Sequence, residues 1–106
     1  MVHRLVVSSG QPEDATAFDA YYRDTHTLLA TSLPGLVRQT TGSPQPLDPS
    51  HPAPYLVAEL DFESEKEMGA AFTSSEGKAA ADDIADFASG GATMTHYELN
   101  EVHAAR

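Results

Sequence analysis

The chain predicts an α+β fold in the order β-α-β-β-α-β, a four-stranded antiparallel sheet with its helices on one face. Three observations carry this. Short β-branched runs alternate with stretches in which apolar residues recur every three or four positions. At 106 residues the chain has room for one core, so residues 1–106 are read as a single domain without repeats or a linker. Strand-helix-strand crossovers are right-handed in nearly all proteins, and two of them interleaved in one sheet place their helices on the same side.

Residues 2–8 are rich in β-branched side chains and are cut off by SSGQP, which makes them the first strand. Asp14 can cap the helix that follows, because its carboxylate accepts the free amide hydrogens of a first turn. Phe18, Tyr22, His26, Leu29 and Leu33 then form a helical stripe that stops at Pro34-Gly35. Residues 36–41 read as the second strand and 55–62, YLVAELDF, as the third. Between them SPQPLDPSHPAP, residues 43–54, holds five prolines in twelve positions. That composition dictates a stiff, polyproline-like loop outside the sheet, either a plain connection or the rim of a pocket. Ser64 and Glu67 make a capping box for a helix carrying Met68, Ala71 and Phe72. TSSEG interrupts it, a second stretch follows with Ala80, Ile84 and Phe87, and Gly90-Gly91 ends that one. Residues 93–102 read as the last strand.

Six Lys and Arg against sixteen Asp and Glu leave a formal charge of −10, which repels nucleic acid and anionic membranes. The absence of cysteine removes disulfides, thiolate metal sites and a Cys nucleophile, and fits a reducing compartment. MVHRLVVSSG has no signal-peptide pattern and no run approaches the roughly 20 apolar residues of a membrane span, so a cytoplasmic protein is expected. The strands also read as apolar on both sides, with Val6 between Leu5 and Val7, and with Tyr55 and Val57 alternating with Leu56, Ala58 and Leu60. The face without helices then needs a cover, and a second copy supplies it: a homodimer with sheets face to face is expected.

The stretches PEDATAFDAYYRDTH, LPGL, YLVAELDF and SSEGKAAADDIADFASGGATM, which span most of the chain, together resemble the EthD proteins, named after a component of ethyl tert-butyl ether degradation. The resemblance implies a ferredoxin-like dimeric α/β barrel with a pocket between helices and sheet. It also implies relatives that act as lactone isomerases, polyketide cyclases, dehydratases or cofactor-free monooxygenases. Such relatives usually carry a proline soon after the histidine and basic residues before Leu-Pro-Gly. Here Thr27-Leu28-Leu29 and Thr31-Ser32 stand in those places, which weakens the case for an anionic substrate. Family members are often labelled reductases, but no G-x-G-x-x-G or other nucleotide cradle is present, and no cofactor is expected.

His26 is the candidate catalytic residue. Its stripe points the ring at the sheet, and an imidazole titrating near working pH suits proton transfer in a water-poor cleft. Tyr22, one turn earlier, is placed to hydrogen-bond a substrate carbonyl or enolate. His96 and Glu98 lie two apart on a strand and share a face, as a carboxylate-imidazole pair needs, but two groups make no metal site and no metal is expected. His3 and His103 fall at the ends of strands that should be neighbours. Tyr55, Glu59, Arg38 and His96 join Tyr22 as expected substrate-binding residues, Glu59 as an acid complementing His26 and Arg38 at the pocket mouth. Asp82, Asp83 and Asp86 read as the wet face of the last helix, and His51 as exposed in the proline loop. The expectation is a cofactor-free small-molecule enzyme that isomerises, cyclises or dehydrates a carbonyl-bearing apolar substrate. The alternatives are a non-catalytic binding or accessory protein and a cofactor-free monooxygenase, in a catabolic or natural-product pathway.

Overall fold

A computed structural model of the chain describes residues 2–105. Strands β1 (His3–Ser9), β2 (Arg38–Gly42), β3 (Leu56–Phe62) and β4 (Ala92–Glu98) form one sheet in the spatial order β2-β3-β1-β4. Every neighbouring pair is antiparallel. The first crossover runs through α1 (Ala15–Tyr21), a π-helical turn (Tyr22–His26) and α2 (Thr27–Thr31), the second through α3 (Glu65–Thr73) and α4 (Ser75–Phe87). This is the ferredoxin-like α+β arrangement that the order of elements predicts. None of the described helices is long and apolar enough to cross a membrane.

Local signals explain the element ends. The Asp14 carboxylate accepts from the Ala17 amide at 3.0 Å and the Ser64 hydroxyl from the Glu67 amide at 3.1 Å, each satisfying a donor that a first helical turn leaves free. Between α3 and α4 the chain turns at Ser74, whose hydroxyl accepts from Gly77. A Cβ on buried Gly77 would lie 2.1 Å from the Ala71 carbonyl oxygen, so α4 can start against the end of α3 only with glycine there. Residues 93–102 do not all form the last strand: ladder pairing ends at Glu98 because its partner β1 begins at His3. One further bond joins the Leu99 amide to the Val2 carbonyl, and His103 lies beyond it, exposed. The proline-rich segment forms neither helix nor strand.

The sheet has two different faces. Along β1, His3, Leu5, Val7 and Ser9 are buried in strict alternation, as the period of a strand requires. Leu5 pairs with Leu60 and Val7 with Ala58, and this face packs on Met68, Ala71, Ala80 and Ile84 from the helices. The expectation that the opposite face is as apolar as this one is corrected. It does carry Val6 and Val57, but Arg4 lies there opposite Asp61, and Val6 opposite Glu59. Arg4 Nε donates to Asp61 Oδ1 at 2.7 Å and Nη2 to Oδ2 at 3.0 Å, while Nη1 lies 3.0 Å from Glu59 Oε2.

These hydrogen bonds from Arg4 hold the Asp61 carboxyl below its ordinary value, against the opposing effect of its burial. Replacing it by Asp61→Asn is expected to lower the free energy of urea unfolding at pH 7 by about 1–3 kcal/mol. A carboxyl with a lowered folded pKa stabilises the fold above its unfolded value near 3.8 and ceases to do so as the pH falls through the folded value. Wild type and variant therefore converge in stability on acidification, which unfolding curves across the acid range check.

Candidate active site

His26 reaches the sheet at the end of the π turn. The Thr27 amide donates to the carbonyl of Tyr22, five residues back, and the Thr27 hydroxyl donates to the same oxygen at 2.8 Å. Wide turns of this kind occur frequently at functional sites. This one shifts the helical phase, so that Ala30 and Leu33 are buried beyond His26 while Leu29, a member of the sequence stripe, packs only at the edge of the core.

A cavity of about 20 Å³ lies between these helices and the sheet, which is room for a water molecule. Its walls are mainly apolar, among them Leu5, Val7, Leu60, Ile84 and Phe87, and its polar side chains are Ser9, Tyr22, His26 and Gln39. A ligand larger than a water molecule would have to displace lining side chains. Met94, 45% exposed on the edge strand β4, is the lining residue most open to solvent.

The imidazole is 5% exposed, and its Nδ1 lies 2.9 Å from Oδ2 of Asp83, itself 8% exposed. The other carboxylate oxygen, Oδ1, accepts a hydrogen bond from the hydroxyl of Tyr21. An ionised carboxylate can only accept, so Nδ1 carries a proton, and in the neutral ring Nε2 is then the nitrogen with the lone pair. Nδ1 is the ring nitrogen that the described residues engage. The ring is wedged between Phe87, at a centroid distance of 4.8 Å, and Tyr22, at 5.2 Å. Burial pushes the Tyr22 phenol up in pKa, with the Gln39 amide pulling the other way through a hydrogen bond. Tyr22 therefore remains an un-ionised hydrogen-bond donor beside the imidazole.

Of the residues singled out from the sequence, His26 and Tyr22 line the cavity and the others lie elsewhere. Glu59 and Arg38 project from the opposite face of the sheet: Glu59 pairs with Arg4, and Arg38 lies opposite Asp61. The strand period separates both from His26. Tyr55 packs edge-on against Phe18 and donates to Asp19 at 2.8 Å, outside the cavity. His96 is on the helix side of β4 but is engaged by His3, Nδ1 to Nε2 at 2.8 Å. His3 thus meets His96 rather than His103. Among the described residues no three His, Asp or Glu side chains group as metal ligands.

Three residues of the site escaped the sequence reading. Asp83 is no part of a wet face. It follows Ala80 by three and precedes Phe87 by four, on the buried stripe of α4, and that spacing is the signal that marks it. Tyr21 was hidden by its neighbour Tyr22. Gln39 pairs with Leu60, so its parity on the strand gives it the helix side.

A ferredoxin-like α+β domain with a buried His–Asp pair, its histidine in the wall of an apolar cavity, is the class these features define. The model of the EthD domain matches residues 10–91, and the chain belongs to that family. An uncharacterized 11.0 kDa protein from the thcB-thcC intergenic region of Rhodococcus erythropolis is 42% identical over 93 residues, covering 88% of this chain and 90% of that one. The crystal structure of an EthD family protein from Bacillus halodurans superimposes with a TM-score of 0.85 at 29% identity, over 94% of this chain and 100% of the other. The same fold recurs in a dimeric ferredoxin-like protein of unknown function from Thermobifida fusca, with a TM-score of 0.71 at 15% identity over 93% and 92% of the chains. It recurs again in SnoaB, a cofactor-independent oxygenase from Streptomyces nogalater, with a TM-score of 0.63 at 13% identity over 95% and 94%.

Asp83→Ala would leave the Nδ1 hydrogen and the Tyr21 hydroxyl without their acceptor. It is expected to cost about 1–3 kcal/mol in urea unfolding. Tyr21→Phe, at a side chain 37% exposed, is expected to cost less than Asp83→Ala in the same measurement.

Proposed function

We propose that the protein is a small-molecule enzyme that moves protons on a carbonyl-bearing, mostly apolar compound without a bound cofactor, with His26 as general acid and base. The observation that carries this reading is the Asp83–His26 hydrogen bond at the wall of an apolar cavity. In this reading Nε2 takes a proton from a carbon next to the substrate carbonyl, and Asp83 balances the imidazolium that forms. The Tyr22 hydroxyl donates to the oxygen on which the negative charge collects. Return of the proton to a different carbon completes an isomerisation. Its delivery to a departing hydroxyl gives dehydration, and attack of the enolate carbon on a second carbonyl gives cyclisation. Positioned acid–base groups contribute about 10²–10⁴-fold to such steps.

A second reading has one specific support, the fold shared with a cofactor-independent oxygenase. The same base would deprotonate an electron-rich phenol, and the phenolate would be the electron donor to molecular oxygen. Consumption of oxygen separates this reading from the first. A protein that only binds its ligand would return it unchanged under either assay.

The protein is further proposed to work as a homodimer, joined through the sheet face that carries Val6, Val57 and Tyr97. Tyr97 is 47% exposed on that face, and the Thermobifida fusca protein of the same fold is described as dimeric. Light scattering at micromolar concentration is expected to give twice the 11.3 kDa chain mass, and a monomer would contradict it.

The catalytic reading is tested with 2-tetralone, a flat ketone with acidic α-hydrogens, in deuterated buffer. Wild-type protein is expected to speed α-deuteration well above buffer. His26→Gln, folded by circular dichroism, should lower that catalysed rate about 100-fold or more. Equal exchange by the two proteins would remove His26 from the chemistry.

A further inference from the structure

Gln39 is half-buried, but one atom of it stands apart from the other buried polar atoms described here. It lines the cavity from β2, and its Oε1 is buried without a hydrogen-bond partner. Such orphaned acceptors are rare in native interiors, and each calls for an explanation. The neighbouring imidazole has its partner in Asp83, and the Gln39 amide is close enough to the Tyr22 phenol to oppose the rise in its pKa. Burial keeps the proton on the Tyr22 phenol, which can therefore donate. Tyr22 and Gln39 thus add a donor and an acceptor to a mainly apolar wall whose other polar side chains are Ser9 and His26.

We infer that this pair is a recognition subsite for a ligand hydroxyl, with Gln39 Oε1 accepting its hydrogen, and that the ligand is a hydroxyl-bearing carbon skeleton. The inference rests on the reading of this cavity as the ligand site and deepens it by giving the ligand a donor. Tyr22 alone would suit a bare carbonyl. The added acceptor suits an enol or another hydroxylated group, and a ligand without one leaves Oε1 unpaired. A site built to hydrogen-bond a hydroxyl discriminates strongly against the analogue that lacks it, because the buried partner then goes unsatisfied.

Two probes share one flat skeleton and differ in the hydroxyl alone, 2-naphthol and naphthalene. Each is titrated into the full-length protein by calorimetry. Wild type is expected to bind 2-naphthol about tenfold or more tightly, although naphthalene is the more hydrophobic of the two. In Gln39→Leu the two affinities should come within about twofold of each other. Gln39→Asn, which draws the carbonyl back by one methylene, should reduce the preference too and serves if the leucine variant does not fold. Equal affinities in wild type, tighter binding of naphthalene, no binding of either, or an undiminished preference in the folded variants would each overturn the inference. Binding is read here without turnover. A failure of catalysed exchange with 2-tetralone would therefore leave a demonstrated hydroxyl preference standing, and the reverse result would leave the proton chemistry standing without the subsite.

Discussion

A histidine and an aspartate, each under a tenth exposed, meet where the two helical crossovers touch, and the architecture of the site depends on that hydrogen bond. Burying either group alone would cost far more than a hydrogen bond returns. Bonded to each other, they tie the π turn of the first crossover to α4 of the second. The aromatic side chains collect around this tie: Phe87 lies within 6 Å, centroid to centroid, of Phe18, Tyr21, Tyr22 and His26. The bond also has a chemical consequence. Nδ1 donates its hydrogen to Asp83 Oδ2, which leaves Nε2 as the basic atom of the neutral ring, while the Tyr21 hydroxyl donates to the remaining carboxylate oxygen.

The strand period divides the work of the sheet. Residues at one parity build the cavity and the core, and residues at the other carry the Arg4–Asp61–Glu59 cluster on the far side. A carboxylate that neutralises an arginine on one face cannot serve a base on the other, which is why Glu59 has no part in the chemistry proposed for His26. The carboxylate that does meet His26 comes instead from a helix, 57 residues further along the chain.

Much of this was legible before any coordinates. Strand and helix order, the caps at Asp14 and Ser64, the break at TSSEG and the inward direction of His26 all follow from local rules of spacing and hydrogen bonding. What escaped depended on non-local geometry or on a weak local signal. The π turn has no sequence signature here beyond Thr27, whose hydroxyl holds the Tyr22 carbonyl. Asp83 was masked by Asp82 and Asp86, although its spacing from Ala80 and Phe87 places it on the buried stripe. The His3–His96 contact depends on the register between β1 and β4, which no pattern within either strand reveals. Glu59 is a different case: its alternation with Ala58 and Leu60 already assigned it to the far face, and its proximity in sequence to the core obscured that parity.

The central claim is that Asp83 fixes the proton on Nδ1 of a histidine that lines the cavity, which leaves Nε2 as the bare nitrogen of the neutral ring. Nitrogen-15 NMR of the histidine rings measures this directly, because protonated and bare ring nitrogens resonate far apart. For the neutral ring of His26 the account predicts a single tautomer, with hydrogen on Nδ1 and a bare Nε2. Hydrogen on Nε2, or the averaged mixture of tautomers typical of an exposed imidazole, would contradict it.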